Sequence, residues 1–214
     1  EQNEKYVKSQ SPANIEAGAE TQLRLMYTRH MKELKLTGNY LKNKKKKAEF
    51  EQLAYKNIGS FFSEAEKAVQ LLAGPQFQER LSYAKKTGEL CHGSYNYHNI
   101  IFSNGNTAVT NFDKYKNECQ ISDLYQFMRK ILEKYDWDIQ TAYKMMEEYD
   151  KIKPVSDTER ALLAALFAFP EKFWKVMNYY FNSNKAWIPP KTKEKLEKVV
   201  QQNEKRQKFL ETLL

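Results

Sequence analysis

His92, Ser94, His98, Asn99, Asn111, Asp113 and Asp123 lie close together in the chain, and their types define the chemistry they can carry. A serine hydroxyl is un-ionised at neutral pH, so Ser94 cannot take a proton as a carboxylate would, an assistance worth about 10²–10⁴-fold in rate. Asn99 and Asn111 offer neutral carbonyl oxygens, whereas magnesium prefers anionic carboxylates. His92 reads as a loop residue packing under a turn, and His98 as pointing away from any ligand. Cys91 and Cys119 form no Cys-x-x-Cys or Cys/His cluster, which implies neither a disulfide framework nor a structural zinc site. Upstream, Lys42, Lys44, Lys45, Lys46 and Lys47 make a basic run able to meet an acidic or phosphate-bearing partner, although a solvated helix end is the commoner meaning of such a run. Tyr95, Tyr97, Tyr115, Tyr125, Phe127, Tyr135 and Trp137 could stack on single-stranded nucleic acid. Their helical spacing, or closeness to a hairpin, favours core and cleft walls instead.

The elements that position these residues follow from periodicity. Leu23, Met26, Tyr27, His30 or Met31, and Leu34 recur every three or four residues, and so do Phe50, Leu53, Ala54, Asn57, Phe61, Ala65, Ala68 and Leu72 before Gly74-Pro75. This predicts an antiparallel helical pair over residues 1–84, with Gly38 a candidate interruption. Residues 85–121 differ in kind: Leu90-Cys91, Ile100 to Phe102 and Ala108 to Thr110 are short strand-like runs broken by the turn residues Ser103-Asn104-Gly105-Asn106, a small β-hairpin. Residues 122–214 return to helix. Ser122 is a candidate cap, another helix lies near Asp138 to Tyr149, and Ser156 with Glu159 has capping-box spacing. Pro170-Glu171 opens a helix through Phe173, Trp174, Met177 and Tyr180, with Trp174, Tyr179, Tyr180 and Trp187 read as packing. Pro189-Pro190 precedes an exposed, charged helix to Leu214, supported by pairs such as Glu194 with Lys198. The fold class is mostly α with a small β-hairpin.

Composition sets outer bounds. The 214 residues suffice for one domain or two small ones, and 35 Lys plus Arg against 27 Asp plus Glu give a net charge of +8 that favours acidic partners without choosing among them. The longest apolar stretch, Ala161 to Phe169, is too short to cross a bilayer. A polar opening that begins at Glu1 reads as a fragment of something longer.

The segment Cys91-His92-Gly93-Ser94-Tyr95-Asn96-Tyr97-His98-Asn99-Ile100-Ile101-Phe102 resembles the catalytic loop of the aminoglycoside phosphotransferase and choline kinase superfamily, whose pattern is His-Gly-Asp, four residues, then Asn, leading into a strand. Asn111-Phe112-Asp113 resembles that superfamily's Asp-aromatic-acid, and Asp123 its later buried Asp. A closer resemblance, over roughly residues 12 to 150, is to the spore coat protein S family, carried by Tyr40-Leu41-Lys42 and the lysines after it, Phe50 to Tyr55, Tyr95 to Asn99, and Asp123 to Lys130. It implies the C-terminal, large lobe of a protein-kinase-like fold, with the strand-rich small lobe absent because residues 1–90 read as helices.

In such a lobe the Asp orients and deprotonates the acceptor hydroxyl while Asn and the second Asp hold magnesium. Ser94 stands at the first position and Asn111 at the last, leaving Asn99, Asn111 and Asp113 as a vestigial or weak magnesium site and Asp123 in a structural role. The resemblance thus implies no cofactor in this fragment, with Mg and ATP a property of a full-length protein, cytoplasmic synthesis, and a place in the spore coat among other coat proteins. Three functions compete. The first is a degenerate kinase-like structural component that catalyses nothing. The second is an active ATP/Mg-dependent phosphotransferase on a small hydroxylated substrate, completed by its small lobe. The third is a basic docking module for nucleic acid or an anionic polymer.

Overall fold

Two amphipathic helices with matching apolar faces must bury them against each other, and α1 (Gln22–Asn43) and α2 (Glu49–Leu71) do so. The structure, a computed structural model, describes residues 22–182 and 189–213; Trp187 and the stretch before Gln22 lie outside them. Tyr27, Leu34 and Leu41 of α1 are buried, as are Phe50, Ala54, Ile58 and Phe61 of α2; Tyr27 stacks on Phe169. Contrary to the expected interruption, α1 runs through Gly38. A glycine costs a helix interior about 1 kcal/mol, and burial of the flanking Leu34 and Leu41 outweighs that. The connection between the helices is pinned by Glu51, only 3% exposed, which accepts from Lys44 Nζ at 2.6 Å and from the Ala48 N–H at 2.9 Å.

Where a helical pair was expected, the described residues form three helices, because Gly74-Pro75 both ends α2 and starts α3 (Pro75–Thr87). The β segment also differs from expectation. Leu90–Cys91 (β1) is not part of the hairpin but pairs antiparallel with Lys116–Asn117 (β4). The hairpin proper joins β2 (Ile100–Ser103) to β3 (Asn106–Val109) through Asn104 and Gly105, both at positive φ, the backbone a tight two-residue hairpin turn demands.

Five helices complete the fold. In α4 (Ile121–Lys134), Ser122 does not cap: Gln120 holds the cap position without a side-chain bond, and the buried Ser122 Oγ has no hydrogen-bond partner. Asp138 caps α5 (Ile139–Ile152) through Thr141 N at 2.8 Å, and Ser156 with Glu159 forms the capping box of α6 (Asp157–Ala168). Helix α6 buries every residue from Leu162 to Phe167, as a helix apolar on all sides must, and is packed by α2, α3, α4 and α8. Helix α7 (Glu171–Asn182) stacks Phe173 on Phe61 and Tyr180 on Phe50, with ring centroids 4.0 and 3.9 Å apart. The last helix, α8 (Lys191–Glu211), is not merely an exposed charged rod. It buries Leu196 and Phe209 together with Arg206, which donates to Phe167 O at 2.8 Å and pairs with Glu64. Its exposed i,i+4 pairs are Lys193–Glu197 and Glu204–Lys208, not the Glu194–Lys198 pair expected.

One buried carboxylate ties three helices together. Glu171, first residue of α7, accepts from Tyr125 OH of α4 at 2.8 Å, lies 3.3 Å from Arg129, and pairs with Lys175, while Tyr27 OH of α1 donates to Tyr125 OH at 3.3 Å. Burial opposes its charge, but Arg129 and Lys175 prevail and hold the carboxyl at about 2, against an ordinary 4.5. A depressed acid stabilises the fold fully above its unfolded-state value and loses that contribution as pH falls through the folded one. Glu171→Gln should therefore cost roughly 3 kcal/mol at neutral pH and flatten the stability loss between pH 4.5 and 2, read by denaturant unfolding across that range. An unchanged acid limb would show that Glu171 is not the titrating group.

Candidate functional site

The loop after β1 turns where no ladder can satisfy its backbone, and a side chain from α4 takes over. The Asp123 oxygens accept from His92 N at 2.6 Å and from Gly93 N at 3.0 Å. Burial pushes the Asp123 carboxyl above its ordinary value, opposed by these two N–H donors. His92 is 7% exposed and its tautomer is fixed by its contacts: Nδ1 accepts from Ser94 N at 3.1 Å, so Nε2 carries the proton and donates to Thr110 O at 2.9 Å. Its ring lies 4.6 Å from that of Phe112, which is otherwise half exposed. Gly93 is indispensable to this turn. Its φ is +73°, and a Cβ there would sit 1.9 Å from Lys114 O.

Downstream, a 3₁₀ turn over Tyr97–Asn99 is closed by Asn96, whose Oδ1 accepts from His98 N at 3.0 Å. His98 is exposed. The hairpin then returns the chain, with Thr110 N donating to Asn99 O at 2.9 Å, and this brings the side chains of Asn99 and Asn111 face to face. Asn99 Nδ2 donates to Ser94 O at 2.8 Å, and Asn111 Nδ2 approaches Asn99 Oδ1 at 3.4 Å. Asn111 stands at φ +70°, a conformation asparagine tolerates better than most residues.

The structure thus brings His92, Ser94, Asn99, Asn111 and Asp123 into one connected network. Asp113 makes none of these contacts and is exposed in the turn closed by Tyr115 N on Phe112 O. Neutral amides are weak ligands for magnesium, which prefers anionic carboxylates. The Asn99 oxygen meets an amide donor, both facing groups are neutral, and among the described residues no three His, Cys, Asp or Glu side chains are grouped to hold a metal.

Beside Ser94 opens a cleft of about 410 Å³, walled by Tyr95, Tyr125 and Met26 and carrying five cationic side chains against two acidic ones. Sequence reading missed it. Lys114 and Lys116 are near the loop, but Arg129, Lys130 and Lys175 come from α4 and α7, and only the fold assembles them. The basic run lies elsewhere, at the α1–α2 connection. Lys44 is bound to Glu51 and Lys47 donates to Lys44 O at 2.6 Å while lying over Tyr55, so Lys42, Lys45 and Lys46 form its exposed part.

Two glycines at nearly equal φ separate strain from collision. Gly93→Ala should destabilise by at least about 2 kcal/mol in denaturant unfolding, whereas Gly88→Ala, at φ +74° with only Asn117 Nδ2 4.0 Å from the new methyl, should cost about 1 kcal/mol. Equal losses would mean that Lys114 does not hold the loop.

The family described as "Spore coat putative kinase YutH" matches residues 14–213. The crystal structure of an aminoglycoside phosphotransferase from Alicyclobacillus acidocaldarius subsp. acidocaldarius superposes with a TM-score of 0.83 at 19% identity, covering 91% of this chain and 58% of that one. At that identity the likeness is one of fold, and the chain spans little more than half the length of that protein. No curated protein sequence matches. The mostly helical architecture with its small β content is that of the large lobe of a protein-kinase-like fold, and the chain belongs to the family described as "Spore coat putative kinase YutH".

Proposed function

We propose that this chain is a degenerate kinase-like domain, made in the cytoplasm and retained in the bacterial spore coat as a structural or interaction component among other coat proteins. The observation that carries the reading is Asn111 facing Asn99 beside Ser94: at Ser94 and Asn111, where the superfamily's pattern has carboxylates, this chain has neutral side chains, and Asn111 turns its amide to the Asn99 oxygen. Ser94 takes the place of the proton acceptor and Asn111 that of a metal ligand, with Asp113 outside the network. His92 and Asp123 serve the loop's shape. A loop locked by Asp123 and Gly93 keeps its form without a metal, as a scaffold requires.

A second reading, an ATP/Mg-dependent phosphotransferase on a small hydroxylated substrate, is favoured by the open cleft at Ser94. It requires Asp113 to swing inward and another residue to supply the base.

Calorimetric titration with Mg-ATP separates the two readings, using the full natural chain that carries these residues beside its Ser94→Asp/Asn111→Asp double variant. The scaffold reading expects no magnesium-dependent binding by the natural protein and a gain of about tenfold or more in the variant, the worth of at least one charge-assisted ligand. Magnesium-dependent binding by the natural protein, with phosphate transfer abolished by Asn99→Ala, would overturn it.

A further inference from the structure

The excess positive charge of the chain comes from one stretch. Residues 22–47, which form α1 and the connection after it, hold nine Lys and Arg against Glu33 alone, a balance of +8 that equals the net charge of the whole chain; the remaining residues hold 26 charges of each sign. The fold turns most of that charge outward. Arg29, Lys32, Lys35, Lys42, Lys45 and Lys46 are exposed, and among the described residues the five lysines have no carboxylate in ion-pair range. Glu33 is already engaged by Arg29 at 3.0 Å and by Trp174 Nε1 at 2.8 Å. Like charges gathered on one surface repel each other and draw in acidic ligands.

The same surface also exposes apolar side chains. Leu25, Arg29, Lys32 and Leu36 follow one another at helical spacing, which sets them in one outward stripe, and the two leucines are 48% and 68% exposed. With 22 residues, α1 is about 33 Å long. A ligand that matches it is elongated, acidic and carries apolar side chains of its own. Two other polyanions match it less well. Single-stranded nucleic acid stacks its bases on exposed rings, whereas Lys44 and Lys47 lie over the rings of Tyr40 and Tyr55, 5.7 and 4.8 Å from the centroids. An anionic bilayer takes apolar side chains into its interface, but residues 42–47 at the tip are only lysine and asparagine, and the exposed leucines lie back along the helix.

We propose that the outer face of α1 and the connection after it form a docking surface for an acidic, amphipathic polypeptide segment of a partner protein. Lys32, Lys35, Lys42, Lys45 and Lys46 meet its carboxylates, and Leu25 and Leu36 meet its apolar side chains. This gives the interaction role proposed above a partner chemistry and rests on that reading for there being a protein partner, but it uses none of the loop residues. Mg-ATP binding would overturn the degenerate-kinase reading and leave this surface standing, and failure of the peptide to bind would do the reverse.

The test is fluorescence anisotropy of the full natural chain with a labelled peptide of about 20 residues, long enough to cover α1 as a helix, with Leu at every third or fourth position and Glu elsewhere. An oligothymidylate of the same length and vesicles of phosphatidylglycerol with phosphatidylcholine serve as competitors. Saturable peptide binding that weakens as ionic strength rises is the expected result, with neither competitor displacing the peptide at an equal concentration of negative charge. Lys32→Gln/Lys35→Gln/Lys42→Gln should weaken binding by about tenfold or more and Leu36→Ser by about threefold, whereas Lys191→Gln/Lys195→Gln/Lys198→Gln, which removes the same charge from α8, should leave it unchanged. All seven side chains are exposed, so the variants should keep the parent's circular dichroism and melting behaviour. No saturable peptide binding, displacement by either competitor, equal losses in the two triple variants, or no loss in Leu36→Ser would overturn the proposal.

Discussion

A loop that leaves a two-residue strand and turns at once has backbone N–H groups with no ladder to join, and in this protein the carboxylate of Asp123 takes two of them. Both N–H groups belong to the loop, while the carboxylate belongs to the first turn of α4, so the loop's position is set by where that helix lies. The helix is in turn fixed by Tyr125 and Arg129, which meet Glu171 of α7, and by the packing of its apolar face on α6. The site is therefore built outward from the helical core. Gly93, with Lys114 O where a methyl would fall, closes the arrangement from the other side.

The network that results is held by hydrogen bonds between neutral side chains and the backbone. The His92 imidazole bridges Ser94 N and Thr110 O, and the Asn99 amide bridges Ser94 O and Asn111. Each of these contacts satisfies backbone or amide groups within the loop. A metal centre would instead need oxygens left free and negatively charged. Five cationic side chains, Lys114, Lys116, Arg129, Lys130 and Lys175, lie around the adjoining cleft.

Most of the helices were legible in the sequence because burial of one face imposes a period of 3.6 and some ends carry caps and prolines, as at Ser156 and Gly74-Pro75. The errors have local causes. Gly38 does not break α1 because tertiary burial outweighs propensity, and Ser122 does not cap α4 because Gln120 holds that position. Pairing of Leu90-Cys91 with Lys116-Asn117 is a contact between segments too short to carry an alternating pattern. For the site, the order of His92, Gly93, Asn99 and Asp123 was visible because those residues are close in sequence. The cleft was not, because Lys130 and Lys175 look like ordinary exposed helix charges until α4 and α7 are packed together. Arg206, read as part of a solvated charge ladder, is buried against Glu64 for the same reason.

The scaffold reading requires that Asn99 and Asn111 engage each other rather than a metal. The most direct measurement follows their side-chain amide resonances by nuclear magnetic resonance as manganese is added with ATP. If the amides are committed to each other and to Ser94 O, their signals should keep their intensity while solvent-exposed carboxylates elsewhere account for any weak general broadening. Selective loss of the Asn99 and Asn111 signals at low manganese would place a metal between them and contradict the account.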